Sequence, residues 1–334
     1  ILQVVAVDLD TGNNARLTYR LLHQNNSALA SRIFGIFPNS GWLYLRENLD
    51  RETQDKFNLI VAASDNGNIQ FNNSNTCMHY NFIILGTPSQ TATVHISIEV
   101  LDTNDNIPVF GKKSYEFNIE ENLPRSSHVG TISAKDADYG SNAVIRYHLI
   151  PNNTSFRINT ITGQIFTKES LDRESKQSYD MIAEARDQGT PSRSSRVPIK
   201  ILVTDVNDNS PEIVDPQEDV VSVREEQSPE TEVVKVRAVD ADAGENASIS
   251  YSILKGKDSD GYGVFSIDPI TGVIKTKIIL DHEERTIYRL TVAATDGGRP
   301  PRQSVRKLRI GVLDLNDNRP TFTSSSLNFM VCTI

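Results

Sequence analysis

Five short strings recur three times in the same order along this 334-residue chain, and that repetition restricts the fold to a modular array. Each unit opens on an acidic pair, Asp8-Leu9-Asp10, Asp136-Ala137-Asp138 or Asp240-Ala241-Asp242, with an Asn six residues after the first Asp, at Asn14, Asn142 and Asn246. A glycine (Gly41, Gly163, Gly272) then stands nine residues before the Asp of an acidic motif, which reads LDRE at 49–52 and 171–174 and LDHE at 280–283. An alternating run ends in Ala-x-Asp at Asp65, Asp187 and Asp296, and D-x-N-D-N-x-P closes each unit from Asp102, Asp205 and Asp314. The closing strings lie 103 and 109 residues apart, the length of one β-sandwich domain.

The runs between these strings have a period of two. Phe57, Leu59, Val61 and Ala63 alternate with other residues, as do Tyr179, Met181, Ala183, Ala185 and then Tyr288, Leu290, Val292, Ala294. A second such run precedes the closing string, with Val94, Ile96, Ile98, Val100 and later Val197, Ile199, Ile201, Val203. Alternation of this kind buries one face of a strand and wets the other. No convincing helical period occurs, so the pattern predicts antiparallel sandwiches. Pro198 lies inside the 197–203 run and marks it as an edge strand. The predicted units are 1–106 (truncated at its start), 107–209, 210–318 and the opening of a further one at 319–334.

The first unit departs from the pattern. From the Ala-x-Asp aspartate to the closing string takes 18 residues in the second and third units but 37 in the first. The string GTPS begins at Gly189, two residues after Asp187, but at Gly86, 21 residues after Asp65, which places an insertion at about 66–85. It holds Cys77 and reads as a long hairpin loop, a recognition loop, or a segment retained by imperfect gene processing; the last is preferred, since Cys332 also sits in a tail that leaves the repeat pattern.

Composition narrows the partners. Acidic residues outnumber basic ones 43 to 34, giving a net charge of −9, and no Lys/Arg cluster fits a phosphate backbone. Nucleic acid is thereby set aside and a cation is the natural counterpart. Two Cys cannot staple a chain of this length, yet sequons at Asn25, Asn72, Asn152, Asn153 and Asn246 point to secretion and a glycoprotein. No apolar run reaches the roughly 18–20 residues of a membrane span, and Ile1 begins within a strand-like run, so the chain reads as cut from something longer. The six His residues show no metal or triad spacing, and nothing supplies a nucleophile, a base and an open coordination site together, so no enzyme is expected. Trp42 falls where Gln164 and Val273 stand in the other units and is expected as a partly buried strand residue.

Asp, Glu and Asn are the residues that repeat, and oxygen ligands suit a hard divalent cation such as Ca²⁺, which takes six to eight of them. The absence of His and Cys from the strings disfavours zinc and copper. An EF-hand fails, because position 6 of each D-x-N-D-N loop would be Ile107, Ser210 or Arg319 where Gly is required, and position 12 would be Lys113, Pro216 or Ser325 where Glu is required.

LDRE, D-x-N-D-N-x-P, D-x-D and Ala-x-Asp in this order and spacing resemble the extracellular repeats of the cadherin superfamily, above all long Dachsous/Fat-type or protocadherin-like members. The resemblance implies an all-β fold of tandem seven-stranded Greek-key β-sandwiches, immunoglobulin-like in architecture, in a linear array. It also implies about three Ca²⁺ per complete junction, held by ligands from both neighbouring units. At the first junction these are Asp50, Glu52, Asp102, Asn104, Asp105, Asn106, Asp136, Asp138, Asn142 and Asp187. At the second they are Glu121, Asp172, Glu174, Asp205, Asn207, Asp208, Asn209, Asp240, Asp242, Asn246 and Asp296. A third, half-present set comprises Glu226, Asp281, Glu283, Asp314, Asn316, Asp317 and Asn318, with His282 where the motif has Arg.

The implied function is calcium-dependent cell–cell adhesion or recognition, Ca²⁺ stiffening the junctions. The implied partner is another cadherin ectodomain, homophilic or heterophilic, outside the plasma membrane to which the full-length protein is anchored. The alternative is a calcium-stiffened spacer whose recognition elements lie elsewhere.

Overall fold

The computed structural model describes residues 2–22, 28–67, 89–152 and 155–322, and within them the periodic runs form β-sandwiches. The middle unit packs a four-stranded sheet, in the order Arg146–Ile150, Ser178–Arg186, Ser194–Thr204, Tyr115–Glu120, against a three-stranded sheet of Phe156–Ile158, Gln164–Thr167 and His128–Thr131. Two-residue pieces, Val109–Phe110 and Ala134–Lys135, pair with each other, so the first and second strands are each interrupted. Pairing is antiparallel except where the last strand meets the first, at Ile199 opposite Tyr115 and onward, the chain returning to its own start.

The third unit repeats this order with Ser250–Leu254, Ile287–Thr295, Gln303–Leu313 and Val220–Arg224, faced by Phe265–Ile267, Val273–Thr276 and Glu232–Lys235. In the first unit the described strands are Leu17–Leu22, Lys56–Asp65 and Thr91–Glu99 in one sheet and Leu2–Gln3, Trp42–Leu45 and Phe34–Ile36 in the other.

The alternating residues form the cores. Met181, Ala183 and Ala185 meet Val197, Ile199, Ile201 and Val203 in the middle unit, while Leu290, Val292 and Ala294 meet Leu308, Ile310 and Val312 in the third.

Three expectations change. The strand holding Pro198 is not an edge: Ser194–Thr204 runs between two neighbours. Pro198 is tolerated because it pairs with Ile182 on one side only, the parallel partner joining from Ile199 onward, so the missing N–H breaks no second ladder. A short helix, Ala28–Ile33, precedes Phe34, and its Ala, Leu and Arg content favours a helix while Ala30 and Ile33 face the core. Trp42 opens a strand whose next residue, Leu43, is buried, yet Trp42 itself remains 46% exposed. Cys77, Cys332 and nearly all of the expected insertion lie outside the described residues.

Two recurring details fix the loop that carries each acidic pair. Gly41, Gly163 and Gly272 have φ of +68°, +69° and +72°, and a Cβ there would stand 2.1–2.2 Å from the carbonyl oxygen of Val4, Ile132 or Val236. Only glycine combines that backbone with that approach. Val4, Ile132 and Val236 also donate their N–H to the same glycine's carbonyl, at 2.9, 3.0 and 2.8 Å. Two residues further on, the N–H of Ala6, Ala134 and Ala238 donates to the buried hydroxyl of Tyr19, Tyr147 and Tyr251, at 2.9, 2.9 and 2.8 Å. Each of those alanines lies two residues before the first Asp of an acidic pair, so the tyrosine pins the segment that delivers it.

Tyr251→Phe should therefore lower the stability of the third unit by about 1 kcal/mol, since a buried N–H loses its acceptor, as read from urea unfolding. Gly163→Ala should cost more, because it adds both an unfavourable φ and a clash.

Candidate metal centre at the unit junctions

Each junction is built from a strand end, the LDRE turn, the linker and two loops of the following unit. At the second junction, inward parity along Tyr115, Phe117 and Ile119 carries forward to Glu121, which is 2% exposed. Its Oε2 accepts the N–H of Arg173 at 2.8 Å and its Oε1 the N–H of Val206 at 2.9 Å, clamping the LDRE turn to the linker. Glu174 and Asp208 place carboxylate oxygens within 4.8 Å of one another and of Glu121, and Glu174, Asp205 and Asp242 form a second such trio. Asp242 belongs to the following unit. Carboxylates from three separate segments thus converge, as do Glu52, Asp102 and Asp138 at the first junction.

The same geometry recurs in both linkers. Asn104 Nδ2 donates to Asp187 Oδ2 at 3.2 Å and to the Pro191 carbonyl at 2.6 Å, while Asn207 Nδ2 donates to Asp296 Oδ1 at 3.3 Å and to the Pro300 carbonyl at 2.8 Å. Asn106 Nδ2 donates to Asp138 Oδ1 at 2.6 Å, and Asn209 Nδ2 to Asp242 Oδ1 at 2.7 Å. The first linker aspartates each face an arginine with one oxygen, by a hydrogen bond at Asp102 and by an ion pair without hydrogen-bond geometry at Asp205, and accept from the following unit with the other. Asp102 Oδ1 meets Arg51 Nε at 2.7 Å while its Oδ2 accepts from Tyr139 N–H at 3.1 Å and Asn142 Nδ2 at 2.7 Å. Asp205 Oδ1 meets Arg173 Nε at 2.5 Å while its Oδ2 accepts from Ala243 N–H at 3.0 Å and Asn246 Nδ2 at 2.8 Å.

Asp187 and Asp296 sit at the ends of strands and are buried, each taking backbone N–H groups from the loop that follows, Gly189 and Arg193 in one case and Gly298 and Arg302 in the other. Asp50 and Asp172 act locally, capping Thr53 and Ser175 of their own turns, and neither falls in a carboxylate trio; the corresponding Asp281 does, with Glu225 and Glu283.

The chemistry left over is that of a hard cation. Among the described residues, Asn104 Oδ1 and Asp136 Oδ2 at the first junction, and Asn207 Oδ1 and Asp240 Oδ2 at the second, are buried oxygens without a hydrogen-bond partner. Burying such atoms unpaired costs free energy, and the same pair of positions is orphaned twice. All four are acceptors. An oxygen-only set of carboxylates and amides fits Ca²⁺ and not a metal that prefers nitrogen or sulfur.

The third set shows one error of register and one substitution. Glu226 has φ +58° and is exposed, like Asn122 at φ +59°. The residue equivalent to Glu121 is Glu225, fully buried, whose Oε2 accepts the N–H of His282 and Oε1 the N–H of Leu315, both at 2.6 Å. Strand parity along Val221 and Val223 was the signal that identifies it. His282 Nδ1 stands 4.0 Å from Asp314. Asn318 Nδ2 donates to Asp317 Oδ1 at 2.8 Å, as Asn106 and Asn209 do to the aspartates before them.

Burial pushes the Asp136, Asp242 and Glu174 carboxyls above the ordinary range, and neighbouring charges add to it: Asp138 and Asp187 for the first, Asp240 and Asp205 for the second, Glu121 and Asp208 for the third. Hydrogen bonds from the Thr53 and Ser175 hydroxyls hold Asp50 and Asp172 below it. A raised carboxyl contributes stability in full below its unfolded-state pKa and loses it as pH rises through the folded value. A lowered one contributes above its unfolded value and loses it only as pH falls through the folded value. In EDTA, calorimetry should therefore show the melting temperature rising as pH falls through the folded values of the raised carboxyls toward the ordinary carboxyl range at about 4, with the opposite trend only as pH falls through the folded values of the lowered ones. A flat profile over the upper interval would mean that the junction carboxylates do not strain the metal-free protein.

Tandem β-sandwiches joined by acidic, proline-closed linkers define a class of modular repeat protein, and comparison with known proteins identifies it. The Cadherin domain model matches residues 1–101, 115–204 and 219–313. The chain belongs to the cadherin family. It is 60% identical to protein dachsous of Drosophila melanogaster over 339 residues, covering 99% of this chain and 9% of that protein. Mouse cadherin-23 EC22-24 matches at a TM-score of 0.74 and 32% identity, over 94% of this chain and 92% of that one. The protocadherin gammaB7 EC3-6 cis-dimer structure matches at a TM-score of 0.73 and 30% identity, over 91% and 69%. The chain thus spans about a tenth of dachsous.

Proposed function

We propose that this chain is a run of calcium-binding cadherin repeats from the outer face of a plasma-membrane protein, in which Ca²⁺ fixes the angle between successive units. The reading rests on one observation: carboxylates from a unit, its linker and the next unit converge at both junctions, with equivalent buried oxygens left unpartnered each time. Glu52, Asp105, Asp136, Asp138, Asn104 and Asp187 would hold cations at the first junction, and Glu121, Glu174, Asp208, Asn207, Asp240, Asp242 and Asp296 at the second. Glu225 takes the place expected of Glu226 at the third.

The chain's own residues do the mechanical work. Pairs of carboxylates within 4.8 Å repel by about 3 kcal/mol at an effective dielectric of about 20. That repulsion loosens the joint in the absence of a cation, and ligation offsets it, converting binding free energy into orientation. The unit limits 106/107, 209/210 and 318/319 place one complete linker at each joint.

Adhesion or recognition through a second cadherin ectodomain is the proposed biological role, supported by the likeness to a protocadherin cis dimer. The second reading is a calcium-stiffened spacer whose recognition elements lie in other repeats. Bead aggregation by this chain alone in calcium supports recognition, and its absence alongside intact stiffening supports the spacer. Among the described residues no helix is long and apolar enough to cross a membrane.

Small-angle scattering should show an extended, rigid array in about 1 mM Ca²⁺ and a broader distribution of sizes in EDTA. Identical profiles in the two conditions would refute the proposal. Asp208→Asn should weaken calcium binding by tenfold or more in calorimetry.

A further inference from the structure

We infer that the arginine of LDRE is a latch that ties one unit to the next without any cation. The inference stands whether or not the junction binds Ca²⁺.

Arg173 is 8% exposed although it lies in a turn at the end of a domain. Its backbone N–H is held by Glu121 at 2.8 Å, which fixes where the side chain starts. Its guanidinium donates from Nη2 to Glu174 Oε1 at 2.5 Å and to the Ala241 carbonyl at 2.8 Å, while Nε stands 2.5 Å from Asp205 Oδ1 in an ion pair that lacks hydrogen-bond geometry. Ala241 is the middle residue of the next unit's acidic pair. Asp205 is itself bound by Ala243 N–H and Asn246 Nδ2 of that unit. Two routes therefore cross the joint, one directly through the arginine and one through the aspartate it holds.

The first junction repeats the scheme with a different second contact. Arg51 Nε holds Asp102 Oδ1 at 2.7 Å, and Asp102 is bound by Tyr139 N–H and Asn142 Nδ2. The guanidinium lies 4.7 Å from the centre of the Tyr139 ring, a cation–π contact across the joint where Arg173 has a carbonyl. His282 occupies this position in the third unit and approaches Asp314 no nearer than 4.0 Å. A guanidinium is planar, always charged and able to serve several acceptors at once, whereas an imidazole or an ammonium cannot reproduce that fork.

A purely internal ion pair would bind Asp205 and Glu174 without coupling the units. The two are separated by measuring the linker in EDTA. Hydrogen–deuterium exchange of the whole chain, read on amides 205–209, should rise at least tenfold in Arg173→Gln. Arg173→Lys, which keeps the charge and loses the fork, should show most of that rise. In saturating Ca²⁺ the variants should exchange within about twofold of the parent. Asp205→Asn should give the same rise in EDTA, and the double variant no more than either alone, since the two residues act as one unit. Exchange of strands 178–186 and 287–295 reports whether each variant is folded; if Arg173→Gln loses that protection, Asp205→Asn carries the test. Unchanged linker exchange in EDTA, or additive effects in the double variant, would overturn the latch. Absence of any protection by Ca²⁺ would sink the calcium reading and leave the latch standing.

Discussion

Mutual repulsion among carboxylates gathered from neighbouring units is the constraint on which this molecule turns. Glu121, Glu174 and Asp208 are held within 4.8 Å of one another, and Asp242 of the following unit joins Glu174 and Asp205 at the same separation. Nothing in a sandwich core requires this crowding. The strand ends, the glycine turn and the tyrosine hydroxyl all serve to bring the acidic loops to one place, at the electrostatic cost that the proposed cation would offset.

Compensation is built in at two levels. Amide side chains Asn104, Asn106, Asn207 and Asn209 turn their N–H groups toward the buried carboxylates, and the Asn104 and Asn207 oxygens are left buried without a partner. Arginine then supplies permanent positive charge at Asp102 and Asp205, the two first linker aspartates. Acidic residues that look alike in the strings therefore do different work: some face the proposed cations, some anchor the arginine, and Asp50 and Asp172 cap their own turns.

Membership of the cadherin family accounts for the architecture, while the details belong to this chain. Tyr139 offers an aromatic face to Arg51 at one joint where Ala241 offers a carbonyl to Arg173 at the next, and His282 replaces the arginine at the third. Equivalent joints along one array need not be equally stiff, because stiffness depends on side chains that vary outside the repeated acidic positions.

Much of this was legible in the chain itself. The period of two in 57–63, 179–185 and 288–294 determined buried strands, because alternation leaves no other way to hide one face; and the recurrence of Asp, Glu and Asn in fixed order determined that the chemistry lies at unit borders. Glu225 could be taken for Glu226 because two glutamates stand together and only the inward parity of the strand separates them. Pro198 read as an edge residue because sequence does not reveal where a second neighbour begins to pair. By itself, then, the sequence determined the repeat, the sandwiches and the oxygen chemistry, all of which follow from local periodicity and residue type. Only the tertiary structure decided which carboxylates meet across a joint and which are already held by arginine or a turn, since those distances depend on how distant segments pack together.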